Sequence, residues 1–183
     1  MRADAARNID AVLHTGARLL AADPTTSIAT IAAEAGVDRR TVYRRFATRE
    51  ALIAAMFTAK LNAAEQVLDE ARLTEAPVAV ALHRYIEGII PSVRMWPVEI
   101  KRLDSGDEEV EARRRAVRAR LDAFVGRAVD EGYFRDDVPR EWIRAMLDHT
   151  MHLAAYDFPD VGPPQCADLV VETLLRGFAG PKA

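Results

Sequence analysis

The chain lacks any run approaching the roughly 18 uninterrupted apolar residues that a membrane-spanning helix requires, although 50% of its 183 residues are hydrophobic. Its opening, MRADAARNIDAVLH, places charges where a secretion signal needs an apolar stretch, so a cytoplasmic protein with no membrane partner is expected. Cysteine is nearly absent. The single Cys166 can form no internal disulfide and has no partner for a cysteine-rich metal site, which leaves a plain helix-borne thiol. Strictly alternating β-branched runs are missing, as are the hairpin signals that would bound them, and this excludes a sheet-built fold.

What is present is charge, 29% of residues, with a formal net of −3 that conceals an asymmetry. Residues 1–60 hold nine Lys and Arg against six Asp and Glu, a local +3, and the remainder holds sixteen against twenty-two, a local −6. The excess is concentrated further: Arg39 to Arg49 contains five arginines and no acid, whereas a surface helix without a charged partner mixes its signs.

Apolar residues recur at helical spacing almost throughout, so the expected fold is all-α, with about nine helices. A first helix is expected from about Arg7 to Ala22. Thr26 or Ser27 then caps a short helix ending near Gly36, which suits the left-handed closing position, and Asp38 caps a two-turn helix from Arg39 to Phe46. A longer helix runs from near Arg49 to about Leu73. Further on, Pro77 to Ile90 reads as a helix stopped by Pro91, RMWPVEIKRLDSGD as a short broken segment, and Asp107 to Glu131 as a long helix whose acidic first turn suits the helix dipole. Arg140 to Phe158 and Pro164 to Phe178 are the last two. In the final helix Leu169, Val170, Val171, Leu174, Leu175 and Phe178 spread around the circumference, which asks for burial on two sides and hence for a homodimer through these two helices.

Two short helices joined at AGVD fit a helix-turn-helix, whose second helix enters the major groove of DNA. At about 100° per residue from Arg39, Val42 and Phe46 fall near 300° and 340° and define the buried side, while Arg40 and Arg44 fall near 100° and 140° and point outward. Thr41 and Arg45 lie beyond them. A guanidinium fork suits the O6/N7 edge of guanine and equally a phosphate, and a threonine methyl can touch that of thymine.

The stretch TTSIATIAAEAGVDRRTVYRRFATREALIAAMF, Thr25 to Phe57, closely resembles the DNA-binding segment of the tetracycline-repressor-like (TetR) family of transcription regulators. The matching features are Thr26/Ser27 opening the second helix, IAAEAGV, Thr41, the spacing from Tyr43 to Phe46, and a basic residue followed by Glu50. The resemblance implies a DNA-reading domain over residues 1–60, a helical effector-binding and dimerisation domain over residues 61–183, and a homodimer released from a palindromic double-stranded DNA operator by a small, largely apolar organic effector. It implies neither enzyme activity nor a cofactor. It further implies that Thr26 or Ser27, Tyr43 and Arg49 meet phosphates, with Arg49 acting from the start of the fourth helix. Arg39, Arg40, Thr41 and Arg44 become the candidates for base edges, and Arg45 either faces phosphate or turns aside. Where the family often has Lys-Gly-Thr and a histidine-rich pair after the tyrosine, this chain has Arg39-Arg40-Thr41 and Arg44-Arg45, so no known operator sequence carries over.

Aromatic and sulfur side chains in the second half, Met95, Trp96, Phe124, Trp142 and Met146, with His83 and His149 among them, are the candidates for an effector pocket, which should be mainly apolar with a few polar groups. His149 and His152 stand at i and i+3, a spacing that also suits zinc or iron, and the rival reading is a helical enzyme or metal-binding protein built on that pair. The arginine run Arg113 to Arg120 reads as a solvated face, with Glu109 and Glu111 placed to pair with Arg113 and Arg115.

Overall fold

The computed structural model describes the backbone of residues 2–97 and 107–178, and the side chains of residues 6–97 and 107–177. Eight α-helices and no strand occur among the described residues: α1 Arg2–Ala22, α2 Ile28–Glu34, α3 Arg39–Arg45, α4 Arg49–Ala71, α5 Val78–Met95, α6 Glu108–Asp130, α7 Arg140–Tyr156 and α8 Pro163–Phe178. The all-α expectation therefore stands with eight helices rather than about nine; most of the segment read as short and broken lies outside the described residues.

The chain divides into two compact units. The first comprises Met1–Asn62 with Met95–Ala112, the second Ala63–Arg94 with Arg113–Ala183. In the first unit Val12, Leu13, Ala17 and Leu20 of α1 form a core with Ile28, Ile31 and Ala32 of α2, Val42 of α3, Phe46, and Leu52, Ile53, Met56 and Phe57 of α4. Gly16 permits the close approach: a Cβ there would lie 3.0 Å from the Met56 sulfur and 3.5 Å from an Ile31 methyl.

The core of the second unit draws on every helix from α4 to α8, with Leu82, Ile86, Phe124, Ile143, Leu147, Cys166 and Leu174 among its buried side chains. One expectation fails here. Helix α5 does not stop at Pro91 but contains it and runs on to Met95. A proline inside a helix forfeits one backbone hydrogen bond, and the turn that follows is held from outside. The Tyr156 hydroxyl donates to Val93 O at 2.8 Å, and the Arg94 guanidinium donates to Ala154 O, Ala155 O, Phe158 O and Val161 O at 2.9–3.2 Å. Arg94 thereby satisfies carbonyls that the end of α7 would otherwise leave open. The arginines of α6 likewise find tertiary partners, Arg113 binding Glu65 and Arg120 binding Asp69, both on α4.

Candidate nucleic-acid interface

Local chemistry sets the two short helices of the first unit. Ser27 caps α2 by accepting from the Thr30 N–H at 3.1 Å, and Asp38 caps α3 by accepting from the Thr41 N–H at 3.2 Å. Between them Gly36 adopts a φ of +66°, a conformation in which a side chain would be strained. Each cap satisfies a backbone donor left open at a helix start, so both helices have fixed origins despite being seven residues long.

Helix α3 is then pinned by Val42 and by Phe46 just beyond it, both buried against the first-unit core. That orientation leaves Arg39, Arg40, Tyr43, Arg44 and Arg45 exposed. Their engagements differ. The Arg39 guanidinium lies over the Tyr43 ring, 5.2 Å from its centroid, and that of Arg45 lies 5.7 Å from the Phe46 centroid. Arg40 and Arg44 have no ion pair, hydrogen bond or ring contact among the described residues. Two charged side chains one turn apart thus keep every donor free for an outside acceptor.

Thr41 sits differently from its neighbours. It is half-buried and lines a narrow crevice between α1 and α3 with Asn8, Ile9, Val12 and Arg45. The loop before α2 is closely tied. Thr25 donates to the Asp23 carboxylate through both its N–H (2.8 Å) and its hydroxyl (2.7 Å), and the Thr26 hydroxyl donates to Asp23 O at 2.9 Å. The Thr25 hydroxyl, followed by the Thr25 N–H, holds the Asp23 carboxyl below the usual carboxylate range. The Thr26 and Ser27 hydroxyls are therefore engaged in shaping the loop, while their oxygens retain accepting capacity and Ser27 stays exposed. Arg49, at the start of α4, reaches back with its guanidinium to Thr26 O and Pro24 O.

The effector candidates do not converge. Trp96 belongs to the first unit, its ring 4.5 Å from that of His14 and its carbonyl accepting from Lys60 Nζ at 3.1 Å, and Met95 beside it is exposed. In the second unit Phe124 is buried core, Met146 is packed against that core, and Trp142 and His149 are exposed. His83 faces carboxylates, with its Nε2 3.0 Å from Asp168 and its Nδ1 3.6 Å from Glu87. Hydropathy and helical phase could not have separated these fates, which depend on which helices meet. His152 packs on Tyr156, and no group of three His, Cys, Asp or Glu able to hold a metal occurs among the described residues.

Two grooves mark the second unit. One, of about 440 Å³ between α6 and α7, is rimmed by Arg118, Arg140 and Arg144 with Asp122, Glu141 and Asp148. The other, of about 320 Å³ between α7 and α8, is apolar and lined by Leu153, Phe158, Leu169 and Val170 among others. None of the seven effector candidates lines either groove. No described helix is long and apolar enough to cross a membrane.

Comparison with known proteins places this geometry. A family model described as bacterial regulatory proteins, tetR family, matches residues 12–56, which run from α1 into α4. The HTH-type transcriptional repressor LfrR of Mycolicibacterium smegmatis is 28% identical over 182 residues, covering 92% of this chain and 88% of LfrR. Among solved structures, LfrR in complex with proflavine superimposes with a TM-score of 0.68 at 24% identity, over 94% of this chain and 97% of that one. The ketosteroid regulator KstR2 of Mycobacterium tuberculosis gives 0.74 at 19% identity, over 92% and 93%. AibR, solved with isovaleryl coenzyme A and operator DNA, gives 0.73 at 21% identity, over 92% and 98%.

Proposed function

Residues 12–56 match the model of the tetR family of bacterial regulators, and from that premise we propose that the chain is a homodimeric repressor of this family whose α3 helices read the two halves of a palindromic operator. The observation that carries the reading is the pair Arg40 and Arg44, exposed and without a partner among the described residues, on a helix anchored on its other side by Val42 and by Phe46 just beyond it. Arginine forks are the commonest readers of guanine edges in the major groove. Arg39, lying over the Tyr43 ring, and Thr41 stand beside that pair as further candidates for base edges, with Tyr43, Arg45 and the loop residues Thr26 and Ser27 as phosphate contacts. The DNA-reading domain is taken as residues 1–60 and the regulatory domain as residues 61–183.

Dimerisation is assigned to α7 and α8. Trp142, Leu153, Phe158 and Leu169 are large apolar side chains left exposed there, and three of the four border the apolar groove. A second copy related by a two-fold axis would cover both, because such an interface uses one patch twice. The effector is assigned to the second unit and is an organic molecule with substantial apolar surface. LfrR was solved with proflavine and AibR with isovaleryl coenzyme A, both of them organic molecules. The effector acts by binding better to the dimer whose heads no longer match the half-site spacing, a coupling of about 1–3 kcal/mol. No catalytic step is required.

Selection of bound duplexes from a random-sequence library tests the reading. Recovery of an inverted repeat with half-sites about one helical turn apart is expected, and recovery of no preferred sequence would contradict it.

A further inference from the structure

Arg49 would ordinarily be read as a phosphate contact, being a basic residue at a helix start beside the recognition helix. Its guanidinium is instead committed within the protein, with one terminal nitrogen donating to Thr26 O and the other to Pro24 O, 23 and 25 residues earlier in the chain. A planar fork can reach two carbonyls of one loop at once; an ammonium group, a single point charge on a flexible stem, is poorly matched to that span. The same loop is ordered from its other side by Asp23, whose carboxylate takes both donors of Thr25. Side-chain capping by Ser27 then launches α2 from this fixed point.

We propose that Arg49 is a positioning residue rather than a DNA contact: it clamps the loop from Pro24 to Thr26 onto the start of α4, and so fixes where Thr26 and Ser27 meet the phosphate backbone. This rests on the reading of the first unit as a DNA-binding domain. The clamp makes a prediction opposite to that of direct contact. A residue that neutralises a phosphate adds about 0.9 to the slope of log affinity against log salt concentration, and lysine can replace it. A residue that acts through its own loop leaves the slope in place, and lysine cannot replace it.

The experiment compares wild type, Arg49→Lys and Arg49→Ala. Each is measured on a duplex selected from a random-sequence library by the wild-type protein, at several salt concentrations, alongside thermal melts and amide NMR spectra of the free proteins. The expected result is that both variants bind about tenfold more weakly at every salt concentration, since binding must then order a loop that the clamp had fixed in advance. The salt slope stays within error of wild type, the melting temperature falls by a few degrees as the intramolecular hydrogen bonds are lost, and the amide resonances of Thr25, Thr26 and Ser27 move in both. Restoration of binding by Arg49→Lys, with a slope lowered by about 0.9 per contact in Arg49→Ala, would overturn the proposal in favour of direct contact. Unmoved loop amides would overturn it as well. Should Arg49→Ala not fold, Arg49→Lys carries the same comparison. If the wild type selects no duplex, the DNA-binding reading fails, and the amide spectra still decide whether the clamp exists.

Discussion

Replacing both Leu153 and Leu169 by aspartate should convert the dimer into monomers, and the size of the effect follows from their exposure. Leu153 is 48% exposed and Leu169 55% exposed in the isolated chain, and both line the groove between α7 and α8. Burying a whole leucine side chain is worth about 1.5–3 kcal/mol, so covering half of one contributes about 1 kcal/mol. Two-fold symmetry counts each residue twice, and the two positions together contribute about 4 kcal/mol to association, close to a thousandfold in the dimer dissociation constant. Four aspartates brought into one apolar interface add like-charge repulsion and desolvation on top of this. Sedimentation velocity over a concentration series should show wild type as a dimer at micromolar concentration and the double variant as a monomer, with unchanged helical content. A double variant that dimerises as tightly as wild type would refute the assignment of this face, and a monomeric wild type would refute the dimer altogether.

Two further outcomes follow from single side chains. Arg94→Met removes the donor that serves four carbonyls around the end of α7 and should cost about 3 kcal/mol, lowering the melting temperature by roughly 10 °C; a melt within two or three degrees of wild type (about 1 kcal/mol) would show that water serves those carbonyls equally well. Asp23 has a folded carboxyl held low by Thr25, so its stabilising effect is present above the unfolded carboxylate value and is lost as pH falls through the folded one. Thr25→Val removes the hydroxyl, the largest of the causes, and should raise the Asp23 midpoint in a carboxyl NMR titration toward the ordinary range; an unmoved midpoint would contradict that cause.

The parts legible in the sequence were those decided within a few residues. Ser27 and Asp38 cap helices because a short polar side chain can reach a backbone N–H three positions on, and Gly36 closes α2 because a positive φ suits glycine. The outward pair Arg40 and Arg44 follows from helical phase once Val42 and Phe46 define the inside. Features set by distant partners were not legible. Pro91 reads as a helix stop until Tyr156 and Arg94 are seen holding the next turn. Arg113 has a glutamate four residues before it on its own helix, yet it binds Glu65 on α4. Trp96 reads as the wall of a ligand pocket in the second domain but lies in the first unit, its ring against that of His14. Arg49 reads as a phosphate contact, whereas its guanidinium reaches the carbonyls of Pro24 and Thr26.

The central claim is that α3 reads sequence through Arg40 and Arg44, and the ratio of affinities for the library-selected duplex and for a scrambled duplex, measured at one salt concentration, tests it most directly. Arg40→Ala and Arg44→Ala are each expected to lose about 1–3 kcal/mol on the selected duplex and less on the scrambled one, relaxing preference at one base position in each half-site. If both variants leave that ratio unchanged, base readout does not reside on this face of α3.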